Sequence, residues 1–276
     1  LLVVLGHSFY QTNSLIVDWL YQFHVPLFFF VSGYLFHVSV NGKPLQPHIF
    51  LSCKAVRLLL PYFALSTLLF VPKVLLSQYM VRAIEASWSE YVLMLIYPYR
   101  NVNSSYWFLP TLFLLFVFAV VALLLFQRLK HRTSLTVTTL LLSLLALANI
   151  SLPFSHDTLF NVVGVIHYAF YFALGYFVFS FGLMRFLDKG EIAFLVFLFT
   201  FVVSIIGLHV NKSPLMDLFF AMNGILMSVA LARLYAKYEF HFLNHLSPSS
   251  YTIYLYHGIF QALSLQILMR FTHFDN

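Results

Sequence analysis

Eight stretches of about 20 apolar residues recur along the chain, near positions 18–37, 57–76, 106–126, 134–150, 160–182, 191–209, 215–235 and 249–269. About 20 residues is what a helix needs to cross a hydrocarbon core roughly 30 Å thick. Lipid offers no partner to a backbone N–H or C=O, so segments this long and this apolar must close their hydrogen bonds internally, as helices. A ninth stretch, Leu1 to Leu5, opens the chain with no basic segment before it and reads as a truncated first membrane helix, not a signal peptide. The expected fold is therefore all-α, a polytopic transmembrane helix bundle forming one domain over 1–276, with about nine helices visible. A further crossing would have to come from Tyr91–Tyr97 or from a different division of 134–182.

Charge excludes the alternatives. Only 9% of residues are charged, 61% are hydrophobic and the mean hydropathy is +0.88, whereas a soluble domain carries roughly 25% charged residues to cover its surface. Placing the N-terminus in the cytoplasm puts ten basic residues in inner loops (Lys43, Lys54, Arg57, Arg128, Lys130, Arg132, Arg185, Lys189, Arg233, Lys237) and five outside (Lys73, Arg82, Arg100, Lys212, Arg270). That asymmetry follows the positive-inside rule. Topological anchoring thus accounts for the net charge of +6, and no nucleic-acid partner is expected. The one cysteine, Cys53, cannot form an internal disulfide, and no Cys/His cluster has metal-site spacing, so no metal is expected.

The acidic residues argue by position. All nine, Asp18 and Asp217 among them, map to loops or helix ends. An ion-coupled transporter needs an ionisable group at mid-membrane, and paired-carboxylate hydrolysis needs two acids together. Neither is supplied, nor is there a Gly-rich phosphate loop for an ATP-driven pump. The longest polar stretch, Ser77–Ser105, carries Trp88, Tyr91 and Leu93 to Ile96 and is expected to lie along the outer interface.

Chemistry can sit at a small set of positions. His7 ends the first helix between Gly6 and Ser8, and a neutral imidazole there suits a general base or an interhelical hydrogen bond. His24 opens the second helix with Pro26 in its first turn, where a missing N–H costs little. Its roles are catalysis beside His7 or packing. The run Phe28-Phe29-Phe30 reads as lipid-facing or core filler. Lys54 and Arg57, three apart, share a helix face at the cytoplasmic surface, where they would grip the phosphates of a nucleotide-like cofactor or simply anchor topology. In the last helix Ser250, Tyr254, His257, Gln261 and Ser264 form one polar stripe, which must face protein or a cavity. His167, Tyr171 and Gly175 repeat the spacing of four further upstream.

Five blocks, in order, carry a likeness: Leu2-Val3-Val4-Leu5-Gly6-His7-Ser8, Phe23-His24-Val25-Pro26-Leu27-Phe28-Phe29-Phe30-Val31-Ser32-Gly33-Tyr34-Leu35, Lys54-Ala55-Val56-Arg57-Leu58-Leu59-Leu60-Pro61-Tyr62, Trp107-Phe108-Leu109-Pro110-Thr111-Leu112-Phe113 and Tyr251-Thr252-Ile253-Tyr254-Leu255-Tyr256-His257. Together they resemble the bacterial acyltransferase-3 family, and most nearly its fucose 4-O-acetylase-like members. The resemblance implies about ten helices in the bacterial inner membrane. It also implies an activity: transfer of an acyl group, acetyl by preference, from cytoplasmic acetyl-CoA to a hydroxyl of an envelope saccharide or lipid-linked glycan. His7 matches the family's catalytic histidine, and Lys54 with Arg57 match its CoA-handling basic motif. The family's basic residue upstream of that histidine falls before Leu1. In this scheme His7 is the base, while Ser8, His24 or Trp107 position the acceptor or stabilise an oxyanion. The competing reading is a permease for a small polar molecule or glycan precursor, which would not depend on His7 or acyl-CoA.

Overall fold

A computed structural model describes residues 14–42, 45–75, 85–126, 131–155, 157–238 and 248–272. Among them every regular element is a helix: α1 Leu15–Tyr21, α2 His24–Val40, α3 Pro47–Leu75, α4 Trp88–Ile96, α5 Phe108–Phe126, α6 His131–Ser151, α7 Val162–Ser180, α8 Gly190–Ile206, α9 Pro214–Lys237 and α10 Ser250–Thr272. Six segments are long and apolar enough to cross a membrane: Leu15–Val40, Pro47–Leu75, Ser104–Leu125, Leu159–Ser180, Gly190–His209 and Pro214–Lys237. The chain is thus a polytopic helix bundle. Their large outward residues, such as Leu68, Leu195 and Phe199, are the apolar coat that lipid requires.

Two boundaries differ from the hydropathy reading. The helix expected at 57–76 begins ten residues earlier, at Pro47, because Pro47 suits a first helical position and nothing before Lys54 breaks the pattern. The helix expected at 18–37 is interrupted after Tyr21. Pro26 has no N–H for the Gln22 carbonyl and its ring crowds that group, so the turn there is closed by shorter bonds, Gln22 N to Trp19 O at 3.3 Å and Phe23 N to Leu20 O at 3.2 Å. The segment near Tyr91–Tyr97 is not a crossing. Helix α4 has nine residues, about 14 Å of length, and opens with an N-cap in which the Ser87 hydroxyl accepts from Glu90 N at 3.1 Å. Its Trp88 is 83% exposed.

The chain forms two compact units, Leu1–Phe28 with Leu183–Asn276, and Phe29–Gly182. In the first, α8 and α9 form a hairpin whose seam is made by Leu187, Ala193, Ala230 and Leu234; small residues there let helices approach closely. Two polar side chains in this unit close on neighbouring helices: Asn223 donates to the Thr200 carbonyl at 2.8 Å and the Trp19 indole donates to Ser204 Oγ at 2.7 Å. The break between α1 and α2 is packed by Phe23, which lies over Gly224.

In the second unit, α2 and α7 cross at backbone contact. A Cβ at Gly33 would collide with the Phe172 carbonyl, and one at Gly175 with the Phe30 carbonyl. The Phe28-Phe29-Phe30 run is divided by helix geometry: Phe29 and Phe30 are buried and Phe28 is exposed. Helix α3 contains Pro61 and Pro72. Side-chain bonds tie it to α4 and to the loop beyond, with Tyr62 donating to Leu95 O at 3.0 Å, Asn101 Nδ2 to Ser66 Oγ at 2.7 Å and Lys73 to Val102 O.

Candidate functional site

The second unit has two chemically distinct ends, both touched by α3. Near the start of that helix, Lys54 Nζ lies 5.1 Å from the Phe50 ring centroid and 4.4 Å from that of Phe116, while Arg57 is exposed. Lys54 is half-buried, its ammonium turned onto two aromatic faces, which attract it through their quadrupoles. The nineteen positions from Lys54 to Lys73 span about 28 Å of helix, close to the thickness of a hydrocarbon core.

At the Lys73 end stands an aromatic column. Tyr99 stacks on Trp107 at 5.1 Å and 12°, Trp107 on Tyr168 at 5.5 Å and 27°, and Tyr168 on Phe29 at 4.4 Å and 15°. Phe154 and His167 close its side, their ring centroids 5.0 Å apart. Parallel faces of this kind are large, rigid and apolar, with polar tips on Tyr and Trp. Burial, with Tyr168 alongside, holds the Tyr99 hydroxyl above its ordinary range, so it stays a donor. At the rim Arg100 pairs with Asp157 through two nitrogens; the hydrogen bond and charge of Asp157 raise the arginine further.

Behind the column runs a buried polar chain. Thr111 Oγ1 donates to the Trp107 carbonyl at 2.7 Å and accepts from Asn161 Nδ2 at 2.8 Å, and Asn149 Nδ2 donates to the His167 carbonyl at 2.8 Å. Asn161 is fully buried and sits at the N-cap of α7 with φ 56°, yet its side chain makes no capping bond. Phe160 before it has φ 46°. A bulky side chain in the left-handed region is strained, and two such residues in succession persist only where the surroundings enforce them. Gly164 is part of that enforcement, since a Cβ there would occupy the volume of the Asn161 amide.

The sequence-predicted residues divide between the units. His24, Tyr254, His257 and Gln261 belong to the first; Lys54, Arg57, Trp107, His167 and Tyr171 belong to the second. His7 and Ser8 lie outside the described residues. His24 is buried and its Nδ1–H donates to the Leu20 carbonyl at 2.9 Å, which fixes the lone pair on Nε2 and leaves that nitrogen able to take a proton. The stripe on α10 has its centre inward: His257 is buried, Tyr254 and Gln261 are half-buried, and Ser250 and Ser264 are exposed. His257 Nδ1–H donates to Tyr254 O at 2.6 Å. Tyr171 is buried with its centroid 6.4 Å from Tyr168. No group of three His, Cys, Asp or Glu that could hold a metal occurs among the described residues. Reading histidines and charges missed Tyr99, Asn101, Asn103, Asn161 and Tyr168; the signal was available as asparagines set at the margins of apolar runs, where each needs a reason.

The family model for the acyltransferase domain matches residues 1–274, nearly the whole chain. The protein belongs to the acyltransferase-3 family and is a multi-pass membrane acyltransferase. No curated protein and no solved structure matches it.

Proposed function

We propose that this protein is an O-acetyltransferase of the bacterial inner membrane, of the fucose 4-O-acetylase-like kind, moving acetyl from cytoplasmic acetyl-CoA to a hydroxyl of an envelope saccharide. The observation that carries the reading is the family match across residues 1–274. Supporting it, the second unit holds a basic end and an aromatic, hydrogen-bonding end separated by about one membrane thickness along α3.

The physical demands of the reaction fit that division. CoA phosphates are too polar to enter lipid, so they would stay at the surface with Arg57 and Lys54 while the pantetheine arm carries the thioester inward. Leaving its aromatic neighbours for a phosphate, Lys54 would exchange a cation–π contact for a charge-assisted hydrogen bond. His7 would take the proton from the attacking sugar hydroxyl as that oxygen bonds to the acyl carbon, and the thiolate of CoA would leave with a proton in turn. His24, with its lone pair fixed on Nε2, would orient His7 or the acceptor hydroxyl, and Ser8 would serve the oxyanion.

The test is transfer of radiolabelled acetyl from acetyl-CoA to envelope glycan in membranes containing the full-length protein or its His7→Ala variant at matched expression. Label transferred by the first and lost in the second is the expected result. Equal transfer in both would remove His7 as the base, and no transfer in either would turn the reading towards export of a glycan precursor.

A further inference from the structure

Four buried polar atoms in the second unit have no hydrogen-bond partner among the described residues: Asn103 Nδ2, Thr158 Oγ1, Asn161 Oδ1 and His167 Nδ1. All four belong to the two loops and the first turns of α7 that surround the aromatic column. A buried polar group left unpaired costs about 1–3 kcal/mol, and buried groups are paired in the great majority of cases. Four lapses at one end of one unit therefore need a cause. Asn161 is the clearest. Asparagine is among the best N-cap residues, but this one forgoes the cap, accepts a left-handed backbone, and keeps its Oδ1 open while Nδ2 is anchored on Thr111.

We propose that this end of the second unit is the subsite for one ring of the acceptor saccharide, packed against the half-exposed Tyr99–Trp107 stack with its hydroxyls on Asn103, Asn161 and His167. The inference rests on the O-acetyltransferase reading. A sugar ring has an apolar C–H face and an edge of hydroxyls that both donate and accept. The open atoms match that edge: Nδ2 of Asn103 donates, Oδ1 of Asn161 accepts, and Thr158 Oγ1 and His167 Nδ1 can serve in either sense. An acyl chain would use none of them. A phosphate would seek a free cation, whereas Arg100 is already held by Asp157. The cluster is thus suited to an uncharged polyhydroxylated ring.

The full-length protein labelled with 5-fluorotryptophan gives resonances for Trp19, Trp88 and Trp107, of which the last is identified by its loss in Trp107→Phe. Titration with methyl glycosides of fucose, rhamnose, glucose and N-acetylglucosamine, with acetyl-CoA as the comparison ligand, reads the subsite directly. The expected result is a saturable shift of the Trp107 line with at least one glycoside, none with acetyl-CoA, and at least tenfold weaker binding in both Asn161→Gly and Asn103→Ala. Glycine tolerates the left-handed backbone at 161, so that variant removes the amide without adding strain. A Trp107 line silent to every glycoside, or glycoside binding unchanged in both variants, would overturn the subsite. Acetyl transfer with a silent Trp107 would overturn the subsite alone, and glycoside binding without any transfer would overturn its role as the acceptor site.

Discussion

The two units are both built from apolar helices but use their buried polar groups differently. In the first, most of the polar groups described are spent on structure: Asn223 ties α9 to the Thr200 carbonyl, Trp19 ties α1 to Ser204, and alanines close the seam between α8 and α9, with Gln22 Oε1 a buried atom left open. In the second, aromatic faces replace the aliphatic seam, and asparagines of the same chemical type are left with open valences beside the Trp107 column. Satisfied polar seams hold helices together. Unsatisfied ones hold a hydrogen-bonding capacity for something else, at a stability cost that natural sites accept for function.

The comparison is broken most severely at the glycines. Gly175→Leu in the second unit drives a side chain into the Phe30 carbonyl across a crossing that has no slack, and the expected outcome is no monodisperse protein in detergent. Even Gly175→Ala is expected to lower stability by about 1–3 kcal/mol, the usual range for overpacking. In the first unit Gly190→Ala meets only the end of the Lys237 side chain, which can swing aside, so its melting temperature should match that of the parent. Size-exclusion profiles and thermal melts of the three variants check this contrast.

The asparagines sharpen it. Asn223→Ala removes a satisfied bond and should lower stability by about 1 kcal/mol, with acetyl transfer per folded molecule unchanged. Asn161→Gly removes an amide that holds one bond and leaves one valence open. Its stability should move by less than about 1 kcal/mol, since relief of an unpaired group offsets the lost bond, while acetyl transfer falls at least tenfold through a raised KM for the acceptor. Parallel melts and steady-state kinetics decide. If the two variants behaved alike, open and closed polar groups would have no different use here.

How much of this was legible in the chain depends on which force decides. Span existence was readable because lipid imposes one solution on 20 apolar residues, and the helix start at His24 was written in local chemistry. The interruption at Gln22 was implicit in Pro26, but hydropathy averages over such a break. Lys54 was placed by its charge; Phe50 lies one turn before it on the same helix, and only the packing of Phe116 from α5 adds the second ring. Trp107, His167 and Tyr171 were singled out individually; that Trp107 also stacks with Tyr168, 61 positions further along the chain, depends on the packing of separate helices. The open valences of Asn103 and Asn161 are legible only as absences of a partner, which no sequence pattern records.

Alkaline pH offers a subtler separation of the units. The Tyr99 hydroxyl titrates above its ordinary value of 10.0 in the folded protein because burial disfavours the phenolate. As pH rises, the unfolded chain releases this proton first. The contribution is therefore whole below pH 10.0 and is lost as pH climbs from there through the folded-state value. The melting temperature is expected to hold from pH 7 to 9 and to decline beyond about 10, and Tyr99→Phe should make that decline shallower. An identical decline in Tyr99→Phe would show that other groups set it.

The smallest effect belongs to the pair at the rim. Arg100 and Asp157 are the one bidentate ion pair among the described residues, and both are exposed. Exposed pairs are weakened by salt and by the entropy of holding long side chains. The guanidinium stays charged throughout the physiological range, since Asp157 raises its proton affinity further, so the pair gives no pH dependence near neutrality. Arg100→Gln should leave the melting temperature almost unchanged at 0.5 M salt and lower it slightly at low salt. A large salt-independent loss would mean that this rim, joining the loop after α4 to the loop before α7, is structural in the sense of the first unit, and that the open polar cluster beneath it is held shut by the pair.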